Sequence, residues 1–330
     1  PMLAVLGAAC PGAPGSGGAE QHGLSAGQRE TLRSRGDALG PRPLSEAECM
    51  TQLDRLPDAV VAPSEGLIWC PTAKAGTTSI LALLNRKFNG AVRLQRAHAS
   101  GNYAGWRLTG NAADECVRAS SMDQAARRGF CASGTALSFS VMRSPWERVL
   151  SSYLEKVAAT QESEAWSNKE GGLAGLILRD LGLPPGATIS FSQFVLWLSA
   201  KAPGSDDNIH IMPWSVRCGA VPPSSYSMVG RTETLEADLQ RLLGALHWDQ
   251  ALLPAEHDNS SVDRCKADAQ CRAVVEGQLG SGAFDIVTSS RELLPLMFAL
   301  DASHDLVELV RTRYAEDVAA GSFEFPSSST

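Results

Sequence analysis

The chain has 330 residues and is 44% hydrophobic, enough to build one large α/β domain or two small ones. Lys and Arg number 29 against 36 Asp and Glu, a net charge of −7. Such a balance repels long polyanions, which argues against nucleic acid as a partner and favours a neutral or cationic one. Eight Cys are too few for a small disulfide-built scaffold. The pairs Cys116/Cys131 and Cys265/Cys271 lie close enough in sequence to bridge; eight reduced, mostly buried thiols are the other reading. No C-x-x-C zinc pattern occurs, and no apolar run reaches the ~18 residues that span a bilayer.

Residues 1–62 read as a flexible N-terminal segment, rich in Gly, Ala, Pro and Ser up to residue 40, with a short helix over Glu46–Leu56. Met2 to Cys10 is apolar and reads either as the end of a signal or membrane-anchor segment or as a small-residue linker. Residues 63–330 form the domain, with compact structure expected from about Gly66. Strand-like and helix-like stretches alternate there, predicting a parallel sheet flanked by helices. Leu67–Cys70 is a short continuous apolar run, the pattern of a strand buried on both faces. Pro71–Gly76 is a loop, and a helix follows with Ile80, Leu81, Leu83, Leu84 and Phe88 on one stripe. A second apolar run, Leu137–Met142, ends at Arg143, and Ser144-Pro145 then opens a helix presenting Trp146, Val149, Leu150, Tyr153 and Val157. Phe191–Leu198 reads as a buried helix, Tyr226–Gly230 as a strand, and Leu235 to Leu246 as an amphipathic helix. A last helix runs from about His304 to Ala320.

Two strand-to-helix turns carry the chemistry. In the first, Cys70-Pro71-Thr72-Ala73-Lys74-Ala75-Gly76-Thr77-Thr78-Ser79, backbone N–H groups and a helix dipole converge on one point, Gly76 allows close approach, and Lys74 adds a full charge. This is an anion cradle. It is not a nucleoside-triphosphatase loop, because Lys74 precedes Gly76 and no earlier Gly is present. An ordinary turn with a surface lysine is the plain alternative. In the second, Arg143 stands at the C-terminal end of a strand, where open α/β sheets bind ligands, with its guanidinium fork suited to a phosphate. Ser151 follows two helical turns later. Here the alternative is an Arg paired with a carboxylate and a packed hydroxyl. A strand ending in Arg would repel the Mg²⁺ that a kinase holds at that place, so a P-loop kinase is a distant alternative.

The order P-x-x-K-x-G-T-T resembles the 5′-phosphosulfate loop of sulfotransferases that use 3′-phosphoadenosine 5′-phosphosulfate (PAPS). The stretch Phe139 to Tyr153 is similar to their 3′-phosphate motif, with Ser144 where that family usually has Asp. The resemblance implies an α/β P-loop-like single sulfotransferase domain with no metal requirement. It implies donor-binding roles for Lys74, Ala75, Gly76, Thr77, Thr78, Ser79, Arg143, Ser151 and Arg231. Lys74 would also act catalytically at the bridging oxygen. The segment from Asp207 to Pro213, then Cys218, then Tyr226 to Leu239, is similar to the chondroitin and HNK-1 type carbohydrate branch, with Ile211 in place of a Trp. That branch implies a carbohydrate acceptor and the Golgi lumen; a small-molecule acceptor and a cytoplasmic location are the alternative. His98, alone between the two motifs, and His210 are the candidate general bases, with Asp114 and Glu115 behind them. A catalytically silent nucleotide-binding scaffold is the reading from another functional class.

Overall fold

The computed structural model describes residues 41–89, 111, 115–159, 172–202, 208–253, 261–280 and 282–326. Met2–Cys10, His98 and Asp114 lie outside the described residues. In chain order the first elements are α1 (Glu46–Arg55), β1 (Val60–Ala62), β2 (Leu67–Cys70), α2 (Thr77–Asn89), β3 (Val117–Arg118), α3 (Gln124–Ala132), β4 (Leu137–Met142) and α4 (Pro145–Tyr153). A π-helical turn, Leu154–Ala158, continues α4. Then come α5 (Leu173–Asp180), α6 (Phe191–Ser199), α7 (Trp214–Arg217), β5 (Met228–Arg231) and α8 (Leu235–Ala245). The C-terminal part is helical: α9 (Ser261–Ala267), α10 (Ala269–Leu279), α11 (Ser290–Phe298), α12 (Leu306–Arg313) and α13 (Ala315–Gly321).

The strands form one five-stranded sheet in the order β3-β1-β2-β4-β5. β2, β4 and β5 are parallel, as the alternation of elements predicts, with Trp69 opposite Phe139 and Met142 opposite Arg231. β1 and β3 are antiparallel additions, so the sheet is mixed. The reason for β1 is local. The chain turns from Ala62 to Leu67 through the 3₁₀ turn Pro63–Glu65 and Gly66 at φ 67°, far too short a link for the crossover that parallel strands need. Every residue of β2 and β4 is buried, and an apolar core lies on each face of the sheet. On one face Leu67, Trp69, Phe139 and Val141 meet Ile80, Leu83 and Leu84 of α2 and Leu239, Leu242 and Leu243 of α8. On the other, Ile68, Cys70 and Met142 meet Trp146, Leu150 and Tyr153 of α4 and the C-terminal helices. The two buried serines of β4 are satisfied. Ser138 pairs with Ser227, while Ser140 donates to the Cys70 carbonyl and accepts from the Trp214 indole at 2.9 Å.

Several expectations need correction. Residues 41–62, read from sequence as part of the segment before the domain, lie in its core: Leu44, Cys49, Leu53, Leu56 and Val61 are buried, and Cys49 is disulfide-bonded to Cys131. Cys131 therefore does not pair with Cys116, which stays a buried thiol. Cys70 pairs with Cys218, and Cys265 with Cys271. The strand expected over Tyr226–Gly230 runs from Met228 to Arg231. The last helix is broken at Tyr314 into α12 and α13. Tyr314 is turned out of helical geometry while its hydroxyl donates to the Ile211 carbonyl at 2.6 Å, so a tertiary contact interrupts a pattern that reads as one helix.

Candidate active site

The parallel strands β2, β4 and β5 end together, and each runs into a turn at the same edge of the sheet. The first turn is held at three points. The Ala75 N–H and the Thr77 hydroxyl both donate to the Thr72 carbonyl, at 3.2 and 2.6 Å, and Arg217 Nε donates to the Pro71 carbonyl at 2.9 Å. The Cys70–Cys218 bridge fixes the residue just before it. Lys74 adopts φ 64° and Gly76 φ 72°. A left-handed lysine is costly backbone, of the kind retained where a site is pre-shaped. The left-handed φ at Gly76 is what calls for glycine, and a Cβ there would also come within 2.7 Å of Leu235 Cδ2, a side-chain end on α8 that would have to shift. The first-turn N–H groups of α2, from Thr77 to Ser79, have no intrahelical acceptor and face the turn's concavity by helix geometry.

The second turn meets the first directly. Arg143 Nη1 donates to the Lys74 carbonyl at 3.0 Å, and its Nε donates to Glu147 Oε2 at 3.3 Å. Ser144 precedes α4 as expected, but its buried hydroxyl caps nothing and has no hydrogen-bond partner among the described residues. Ser151 is buried on α4, with Oγ 2.5 Å from Ser261 Oγ and 3.4 Å from Glu155 Oε1.

Glu155 is the hub of the arrangement. Lys74 Nζ donates to its Oε2, and Arg264 Nη2 and Ser261 Oγ donate to its Oε1 at 2.6 and 2.8 Å. Burial lowers the Lys74 pKa to about 8 despite the neighbouring Glu155 carboxylate, with Lys156 and Arg264 pushing the same way as burial. Burial opposes the charge on Glu155, but Lys74 and Arg264 outweigh it and hold the carboxyl well below its usual range. Lys74, Arg143 and Ser151, selected from sequence, are thus brought together within one polar cluster.

Arg231 ends β5 opposite Met142 in register. Its N–H donates to buried Asp238 at 2.7 Å and its guanidinium lies 4.8 Å from the Phe323 ring centroid, so it is held toward the C-terminal tail, apart from the bonds that join Lys74 to Arg143 and Ser151. His210 belongs to the tight turn before α7. Its carbonyl accepts from Ser152 Oγ at 2.8 Å, beside Ser151, and its Nδ1 is shut off from solvent. Glu115 accepts from Ser64 Oγ at 3.1 Å, before β3. Among the described residues, no group of three His, Cys, Asp or Glu is arranged to hold a metal ion.

Sequence reading missed Glu155, Ser261 and Arg264. Glu155 carried a signal, since it lies one helical turn beyond Ser151 on the same face. Ser261 and Arg264 arrive from a segment 110 and 109 residues away from their partners, and nothing local marks them. In comparisons with known proteins, neither a curated protein nor a solved structure matches the chain. A family model described as the sulfotransferase family matches residues 57–318, a span that contains every residue of this cluster. The chain belongs to the sulfotransferase family.

Proposed function

We propose that this sulfotransferase takes its sulfuryl group from PAPS and delivers it to a hydroxyl or amine of a carbohydrate or small-molecule acceptor. One observation carries the donor assignment: the lysine turn and the arginine turn touch, through Arg143 Nη1 and the Lys74 carbonyl, so one adenosine bisphosphate can contact both. Lys74 and the first amides of α2 hold the 5′-phosphosulfate, and Arg143 and Ser151 hold the 3′-phosphate. In the transfer, the bond from sulfur to the 5′-phosphate oxygen breaks as a bond from sulfur to the acceptor oxygen or nitrogen forms. The Lys74 ammonium and the loop N–H groups offset the charge that develops on the leaving phosphate. The acceptor proton passes to a base, for which His98 and His210 remain the candidates.

Among the described residues, three disulfides, two of them joining distant segments, support an oxidising compartment, in keeping with the Golgi lumen. The net charge of −7 supports a neutral or cationic acceptor. The test is incubation with radiolabelled PAPS and fractionated acceptors. Label should enter one acceptor fraction with the natural chain and fall by about 10²-fold or more with Lys74→Ala. Tight nucleotide binding without transfer to any acceptor would favour the silent scaffold instead.

A further inference from the structure

A carboxylate that gathers four donors in a phosphate-binding fold demands an explanation. Glu155 accepts from Lys74 on one oxygen and from Arg264, Ser261 and Ser151 on the other. Two cations and two hydroxyls converging on two oxygens form the set that a phosphate would recruit. Two of the four, Lys74 and Ser151, belong to the turns assigned to the donor. The other two come from α9, far along the chain. Glu155 also projects from the π-helical turn, where the Ala159 N–H reaches back to the Leu154 carbonyl at 3.1 Å, a local departure from α-helix that frequently accompanies functional sites. Lys74 and Glu155 are both largely buried, with side-chain exposures of 10% and 14%, whereas Arg264 is 39% exposed and has room to turn.

We propose that Glu155 occupies an anion seat as a resident counter-ion, that the 3′-phosphate of the bound nucleotide displaces it beside Ser151 while Lys74 is released to the 5′-phosphosulfate, and that Ser261 and Arg264 then become ligands of that 3′-phosphate. The inference rests on the donor reading above and extends it to the ligand-free state. The seat's two cations share the single negative charge of an internal carboxylate until an external anion with more acceptor atoms replaces it. Binding is then a competition, and its apparent affinity is reduced by the fraction of molecules in which Glu155 holds the seat.

The experiment is calorimetric titration of adenosine 3′,5′-bisphosphate into the natural chain, Glu155→Gln, Ser261→Ala and Arg264→Ala, each checked for an unchanged circular-dichroism spectrum. Glu155→Gln should bind about tenfold more tightly, which corresponds to a seat closed in about nine molecules of ten. Arg264→Ala should bind at least about tenfold more weakly, and Ser261→Ala several-fold more weakly. If Glu155 instead served only to orient Lys74, Glu155→Gln would bind no better or worse, and that result overturns the proposal. Should Glu155→Gln fail to fold, Arg264→Ala decides: unchanged affinity overturns the proposal, because an Arg that only balances Glu155 contributes nothing to the ligand. A second arm uses inorganic sulfate, which should raise the melting temperature of Glu155→Gln more than that of the natural chain. If adenosine bisphosphate binds neither chain while sulfate still shows that difference, the seat stands and the donor reading falls. If sulfate shows no difference either, both fall.

Discussion

Lys74 joins three unusual conditions in one side chain: a left-handed backbone, near-complete burial and a carboxylate partner. Its depressed pKa of about 8 has a direct consequence for ligand binding. Only the ammonium form attracts a phosphate, so the affinity for adenosine 3′,5′-bisphosphate should fall as pH rises through about 8, by up to about tenfold per pH unit. The charged groups facing the ammonium are Glu155, Lys156 and Arg264, and the pKa of Lys156 is also lowered by burial. Lys74→Arg keeps its charge above pH 12 and should flatten the profile, as titrations between pH 7 and 9.5 would reveal. A decline of equal steepness in Lys74→Arg would assign the titration to another group. Gly76 makes a complementary claim about stability. Gly76→Ala adds left-handed strain and pushes aside the Leu235 side-chain end 2.7 Å away, and should lower the unfolding free energy by about 1–2 kcal/mol in denaturant titration.

The site is assembled from element ends, which is why part of it was legible in the sequence and part was not. β2, β4, α2, α4 and α6 appear where apolar runs and helical stripes put them. Lys74, Arg143 and Ser151 were legible because each lies within a few residues of such an end, so local pattern locates them. α9 has no such link to α4, and its Ser261 and Arg264 meet Glu155 only through tertiary packing. β1 and β3 were missed for a similar reason: strands of three and two residues have too little pattern to read, and sheet pairing completes them. The break at Tyr314 likewise answers to a distant carbonyl. α13 is locked to α4 and α7 by Asp317, which accepts from Arg148 and from the Trp214 and Ser215 N–H groups while almost fully buried. Asp317→Ala leaves a buried guanidinium unpaired and should destabilise by about 3–5 kcal/mol, read as a shift in the denaturant midpoint. A loss below about 1 kcal/mol would mean that α13 is not anchored there.

At the scale of the fold, two covalent links among the described residues tie segments 82 and 148 residues apart, and one of them ends at the residue that opens the lysine turn. Neither pairing followed from the spacing of the cysteines, because proximity in sequence points to short loops whereas these close long ones. In a chain-entropy view, a loop of that size constrains the unfolded state by about 4–5 kcal/mol, so a Cys70→Ser/Cys218→Ser chain should lose about 2–5 kcal/mol of stability with its family fold retained. No helix among the described residues is long and apolar enough to cross a membrane.

The contact between Arg143 and the lysine turn carries the donor assignment, and a comparison of two ligands tests it most directly. Adenosine 3′,5′-bisphosphate and adenosine 5′-phosphate differ only at the 3′ position, where Arg143 is assigned. The natural chain should prefer the bisphosphate by about 10- to 150-fold, the worth of charge-assisted bonds to one phosphate, and Arg143→Ala should remove most of that preference while leaving 5′-phosphate binding nearly intact. Equal weakening of both ligands by Arg143→Ala, or no weakening of either, would contradict the account.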